Sequence, residues 1–247
     1  MVTVARIARL GSFAVLAFAL ARAVLACEDD STAPPPSTPD SGVTPAPTSS
    51  LPPAATDAGA DSDAAAVIEA DLTNDFSRTS NPNGAWTFGY TVGVPGGDAG
   101  PFIVFTGTRD LAPNIPSWID PENEVLGDPC VYRNETDAVF ADGIQPGEVA
   151  LHPGSAGEYA IARWTVPVAG AYSVTVQFKE GDTGDTDGMF LHNGNVLVTE
   201  ATTSTNTIHN LVLLAAAGDT LDVAVGHKGD FLDDSTPVRF TIRSAAK

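Results

Sequence analysis

From Leu72 onward, apolar and polar residues alternate in short runs that Gly, Asn, Asp and Pro repeatedly interrupt. Trp86, Phe88, Tyr90 and Val92 alternate with small or polar neighbours. Tyr172, Val174, Val176 and Phe178 do so against Ser173, Thr175 and Gln177, and Val238, Phe240 and Ile242 against Arg239, Thr241 and Arg243. A period of two belongs to a strand with one buried face. Shorter runs predict strands over 102–106, 149–152, 159–166, 189–192, 196–199, 208–214 and 221–225. Asn193-Gly194 predicts a tight hairpin, because both central residues of such a turn take positive φ. Gly218-Asp219 marks a similar turn before Leu221. No segment after residue 72 keeps a helical period with caps. The pattern therefore predicts an all-β domain of about ten short strands, an antiparallel two-sheet β-sandwich of jelly-roll type, since two packed sheets bury one-sided strands.

The start of the chain has a different texture. Arg6 and Arg9 precede an apolar run from Leu10 to Ala26, interrupted by Arg22, which is the layout of a secretory signal. Val24-Leu25-Ala26-Cys27 resembles the bacterial lipoprotein box, in which the cysteine becomes the lipid-bearing first residue; Leu25 stands where a small residue is usual. This reading makes residues 1–26 a lipoprotein signal peptide and Cys27 the lipidation site; the alternative is an ordinary signal cut near Ala23 or Ala26. Residues 27–70 hold eight prolines among Ser, Thr, Ala and Asp. Too little apolar surface is present to offset ordering, so this stretch is expected to be a disordered tether. The sandwich is assigned to 71–247. The implied location is the bacterial cell envelope, lipid-anchored and exported to the outer membrane or cell surface.

Charge narrows the partners. The whole chain carries −19, and removing residues 1–26 takes away three of the twelve basic residues and none of the thirty-one acids, leaving −22. Such a surface excludes nucleic acid, which needs a basic footprint. Contact with a membrane is expected through the lipid anchor only. If Cys27 is lipidated, Cys130 has no intrachain partner and reads as a small buried apolar residue; a Cys27–Cys130 disulfide would require an unmodified Cys27 and a folded-back tether.

The run Asp75-Phe76-Ser77, followed by Asn81-Pro82-Asn83-Gly84-Ala85-Trp86-Thr87-Phe88-Gly89-Tyr90, resembles the NPNGxW(S/T)YGY opening of a group of secreted bacterial β-domains. Later landmarks agree in order: Leu151-His152-Pro153-Gly154, Arg163-Trp164-Thr165-Val166-Pro167 with Gly170-Ala171-Tyr172, Gly218-Asp219-Thr220-Leu221-Asp222, and Asp234-Ser235-Thr236. The resemblance spans about 72–245 and none of the tether. It implies a jelly-roll module like those that bind carbohydrate. Within the motif itself, Asn81-Pro82-Asn83-Gly84 has a structural use, with Pro presetting φ and Asn-Gly supplying a tight turn.

Candidate ligand-binding residues are Trp118, Tyr90, Arg163 and His152. A sugar platform needs exposed aromatic faces with hydrogen-bonding groups at the ring edge. Trp118 lies in the loop-like Asn114-Ile115-Pro116-Ser117-Trp118 and is the better candidate for exposure; Trp86 and Tyr90 share a face that a sheet would turn inward. Arg163 alternates with Trp164, which shares its face with Ala160, Ala162 and Val166, so Arg163 is expected outside. There it either hydrogen-bonds a ligand with His152 or pairs with a surface acid.

Two acid-rich loops are candidates for a structural calcium, Asp182, Asp185 and Asp187 in one and Asp230, Asp233 and Asp234 in the other. Calcium takes six to eight oxygen ligands, and solvated turn acids are the alternative. No HExxH, GxSxG, phosphate-binding glycine loop or paired-cysteine metal motif is present. The leading expectation is a surface-tethered noncatalytic binding module for carbohydrate or another extracellular ligand. The alternatives are a structural or adhesive protein that binds an envelope protein and, behind it, a polysaccharide hydrolase.

Overall fold

A computed structural model describes residues 69–123, 128–141, 143–201, 206–229 and 231–244. Cys27, Asp230 and the proposed signal and tether up to residue 68 lie outside the described residues. Among the described residues no helix is long and apolar enough to cross a membrane.

Among the described residues fourteen strands occur in chain order. They are β1 (Glu69–Asp71), β2 (Trp86–Val92), β3 (Ile103–Val104), β4 (Gly107–Asp110), β5 (Pro116–Ile119), β6 (Cys130–Arg133) and β7 (Val149–His152). Then follow β8 (Glu158–Thr165), β9 (Gly170–Phe178), β10 (Thr186–His192), β11 (Asn195–Glu200), β12 (Ile208–Ala215), β13 (Thr220–His227) and β14 (Thr236–Ser244). They form two antiparallel sheets, as the alternation predicts. The first runs β12-β9-β14-β7-β6-β5-β4, with β1 also paired to β14; the second runs β11-β10-β13-β8-β2-β3. Because β1 aligns Glu69 with Arg243 and Ala70 with Ile242, these two residues of the expected tether are part of the sandwich.

The strongly alternating segments supply the core between the sheets. Trp86, Phe88 and Tyr90 of β2 meet Tyr172, Val174, Val176 and Phe178 of β9 and Phe240 and Ile242 of β14, all buried. Their rings pack edge to face, Trp86 on Phe240 at 5.3 Å and Trp164 on Tyr172 at 5.5 Å between centroids, the arrangement that ring quadrupoles favour. Asn193 and Gly194 have φ of 50° and 75° and close the β10–β11 hairpin.

The outer faces are not simply solvent-facing. Ile115, Ile119, Cys130, Tyr132, Ile144 and Ala150 form a second apolar cluster on the first sheet, and Tyr159, Ile161, Met189, Leu191 and Ala224 a third on the second. Strands buried on both faces lose the period-two signature. For that reason β5 and β6 escape the pattern, all four residues of β5 being buried, whereas β4 is mostly exposed and has no large apolar residue to alternate.

The single helical turn α1 (Leu72–Asp75) is capped by Asp71, whose carboxylate accepts from Thr73 N and Asn74 N. Around it the Asp75-to-Tyr90 landmarks form a lock. Trp86 Nε1 donates to Asp75 Oδ2 at 3.0 Å, Asn83 Nδ2 to Asp75 O at 2.9 Å, and Asn81 Nδ2 to the carbonyls of Phe88 and Phe105 at 2.8 Å each. These bonds hold the first strands in place.

Candidate functional site

Two connections build the principal cleft. One crosses from β9 to β10 (179–185), the other from β13 to β14 (228–235), and main-chain bonds zip them together. Asp182 N donates to Ser235 O at 3.0 Å, Gly184 N to Asp233 O at 2.7 Å and Lys228 N to Asp185 O at 3.1 Å. The approach is close enough to require glycine: a Cβ on Gly184 would lie 2.0 Å from Asp234 Oδ1, and one on Gly181 2.1 Å from Ser235 O. Asp233 adopts a φ of 60° to turn the second connection.

The result is a cavity of about 440 Å³ between these connections. Its wall carries the carboxylates of Glu180, Asp182, Asp185 and Asp234, the Lys228 ammonium, and hydroxyls including Thr183 and Ser235. Asp234 is 1% exposed, and Lys228 Nζ donates to Asp185 Oδ2 at 3.0 Å. Two further cavities adjoin it. A second space of about 440 Å³ shares the 180–183 stretch, and a third of about 340 Å³ shares Glu148 and Lys179 with the second. Lys179 and Glu148 form an ion pair at that junction. Hydrogen-bonding groups of both kinds line these three neighbouring cavities.

Of the six acids expected in the two loops, Asp182, Asp185 and Asp234 line the cavity, Asp187 does not, and Asp230 lies outside the described residues. Among the described residues no three His, Cys, Asp or Glu side chains come together to hold a metal ion. Asp187 alternates with Thr186 and Gly188 and so points to the other face of β10, where its Oδ2 accepts from Tyr159 OH at 3.1 Å. Burial is the main influence on its carboxyl and pushes its pKa above the ordinary range; it also pushes the Tyr159 phenol up.

The four expected ligand residues are dispersed. Trp118 is on a strand and 5% exposed, with Nε1 donating to Ser77 O at 2.7 Å, so it is no exposed platform. The loop-like Pro and Ser before it lie inside β5, where neighbours on both sides supply the burial that composition hides. Tyr90 is also buried, its ring stacked on Phe105 and its hydroxyl donating to Asp120 Oδ2 at 2.7 Å.

Arg163 faces outward from the second sheet, opposite Trp164, as the alternation predicts. There it clasps Asp222 and lies 3.9 Å from the centre of the Phe102 ring. His152 is on the first sheet, on the face it shares with Ala150 rather than core-facing Leu151. It therefore does not join Arg163. Its Nδ1 is 2.7 Å from Pro153 O, and desolvation pushes its pKa down.

Sequence reasoning missed Lys228, Glu180 and the Thr and Ser hydroxyls of the cleft. The signal was the Gly-Asp-Thr-Gly-Asp-Thr repetition at 181–186. Its glycines are what let the second connection approach.

Fold and cleft define an all-β sandwich domain with a preformed polar groove at its connecting loops. No protein-family model matches the chain, and no curated protein matches it. Among solved structures it is similar to a family 35 carbohydrate-binding module from Clostridium thermocellum, at 17% identity over 48% of this chain and 99% of that one, with a TM-score of 0.31. It is similar also to a β-glucosidase from Kluyveromyces marxianus in complex with glucose, at 12% identity over 69% of this chain and 18% of that one, TM-score 0.29. A third similarity is to pika GITRL, at 17% identity over 34% and 73%, TM-score 0.27.

Proposed function

We propose that this chain is a surface-tethered, noncatalytic binding module that takes extracellular carbohydrate in the groove between the 179–185 and 228–235 connections. The observation that carries the reading is the chemistry of the groove wall. Carboxylates accept hydrogen bonds from sugar hydroxyls, while Lys228, Lys179 and the Thr and Ser hydroxyls donate to ring and hydroxyl oxygens. The main-chain zipper holds these groups before any ligand arrives, which lowers the ordering cost of binding. Each cavity falls within the ~300–1,000 Å³ typical of small-ligand sites, and their being neighbours suits a chain of several sugar units. The net charge argues against polyanionic ligands.

Lipidation of Cys27 and a tether over 27–70 complete the proposal, by presenting the sandwich at the envelope surface. A glycan array probed with the full chain, with and without calcium, tests it. Binding to neutral oligosaccharides that disappears in Asp182→Asn/Asp185→Asn is expected; uniformly flat binding in both conditions rules out the carbohydrate reading. Metabolic labelling with a fatty acid analogue tests the anchor, which should label the native chain and not Cys27→Ser.

A further inference from the structure

An exposed strand edge offers a row of unpaired N–H and C=O groups to any other strand, and proteins blunt such edges with charge, brevity, bulges or cover. Three of the four sheet ends here are blunted. β4 carries Arg109 and Asp110, β3 is two residues long, and the short β11 is interrupted by a register break where Val196 to Val198 face Phe190 and Leu191. β12 is different. Its eight residues pair with β9 in unbroken register from Ile208 to Ala215, and no described strand lies on its other side. It contains no Lys, Pro, Gly or acid. Its outward face presents Ile208 at 51%, Val212 at 75% and Leu214 at 80% exposure. The apolar residues stop there: Gln177, Ser173 and Ala171 stand opposite them on β9.

We propose that β12 is the pairing edge for a second copy of this chain, the two β12 strands meeting antiparallel about a two-fold axis to make one sheet continuous through both copies. Backbone geometry demands an extended strand as the occupant, and charge selects which one. Two chains of −19 repel each other over most of their surfaces, but residues 206–218 contain no Asp, Glu, Lys or Arg. Every copy brings that same neutral edge, and a closed two-fold contact uses one patch twice.

Residues opposite each other across antiparallel strands share a face. An axis at Val212 therefore sets Asn210 against Leu214 of the partner subunit on the outer face. On the inner face it sets Leu211 against Leu213 of the partner subunit. Leu211 and Leu213 pack on the core but are only partly buried in one copy, and the pairing completes their cover.

Sedimentation of the full chain over a concentration series gives the first test, with a reversible monomer–dimer equilibrium expected. Val212→Lys puts like charges directly opposite each other on the axis and should weaken the dimer at least about fivefold with circular dichroism unchanged. The second test reports geometry. A spin label on Asn210→Cys in a Cys27→Ser background, with Cys130 buried, should find its twin near the about 15 Å expected between those two Cα atoms. A chain that stays monomeric up to about 1 mM overturns the proposal. A dimer indifferent to Val212→Lys, or label separations above about 25 Å, overturns it as well.

Discussion

Arg163 and Asp222 stand directly opposite each other on β8 and β13, and the guanidinium grips the carboxylate at both ends, Nε to Oδ1 and Nη2 to Oδ2 at 2.8 Å each. The Asp222 side chain is 5% exposed, so its charge depends on Arg163 for compensation. The same guanidinium lies against Phe102, which packs over Gly89 and the third apolar cluster. One arginine thus ties β13 and the segment before β3 to the outer face of the second sheet.

Removing one partner strands a buried charge. Arg163→Ala is expected to lower the unfolding free energy by roughly 3 kcal/mol, whereas the paired replacement Arg163→Met/Asp222→Leu should recover most of that loss. Arg163→Lys should fall between, since an ammonium cannot form the bidentate grip. Urea unfolding of the four proteins measures the difference, and a double variant no better than the single one would contradict the coupling.

Trp118 should behave as a core residue. Trp118→Ala is expected to cost about 3–5 kcal/mol, as for other large buried aromatics. Trp118→Phe keeps much of the ring but leaves Ser77 O without its indole donor, a loss of about 1–3 kcal/mol. Thermal and urea unfolding read both, while glycan binding by folded Trp118→Phe should match the parent chain.

Asp187 gives a pH dependence with a definite sign. Its folded-state pKa is raised above the ordinary 3.8, chiefly by burial, so the ionised form is disfavoured in the native state. Its contribution to stability is most favourable below that ordinary value and declines as pH rises through the shifted one. Asp187→Asn keeps an acceptor for Tyr159 and removes the ionisation. It should therefore be more stable than the parent at pH 7 and lose that advantage near pH 3, by urea titration at each pH.

Cys130 should be chemically silent. Desolvation pushes its thiol up to about 12, and the thiolate is the reactive form. In a Cys27→Ser chain at pH 8, an aromatic disulfide reagent should release no colour from native protein and one equivalent after denaturation. Rapid reaction of the native chain would show that β6 opens readily.

Gly184→Ala probes the cleft. The added methyl meets Asp234 Oδ1 at 2.0 Å, so the two connections must separate or the carboxylate must move. A loss of glycan affinity of tenfold or more is the expected result, about 1.4 kcal/mol, together with a lowered melting temperature. An unchanged affinity would place binding elsewhere on the sandwich.

The residues along β9 and β14 declared their strands, their inward faces and the two-sheet class, because each buries chiefly one side and its alternation is written locally; β2 did so because large apolar residues alternate with small or polar ones, although Gly89 and Thr91 are buried too. Asn193-Gly194 declared its turn for the same reason, since φ is a property of single residues. Asn114-Ile115-Pro116-Ser117-Trp118 reads as a loop because burial on both faces erases alternation, and only packing against β4 and β6 makes Pro116–Ile119 a strand. Arg163 could be placed outside from its neighbours, but not matched to Asp222, 59 residues away. The groove was equally invisible, since its two acid loops are far apart in the chain and meet through backbone bonds that glycine permits. Local order followed from local chemistry; the pairing of distant segments, and with it the site, came from the closing of the sheets.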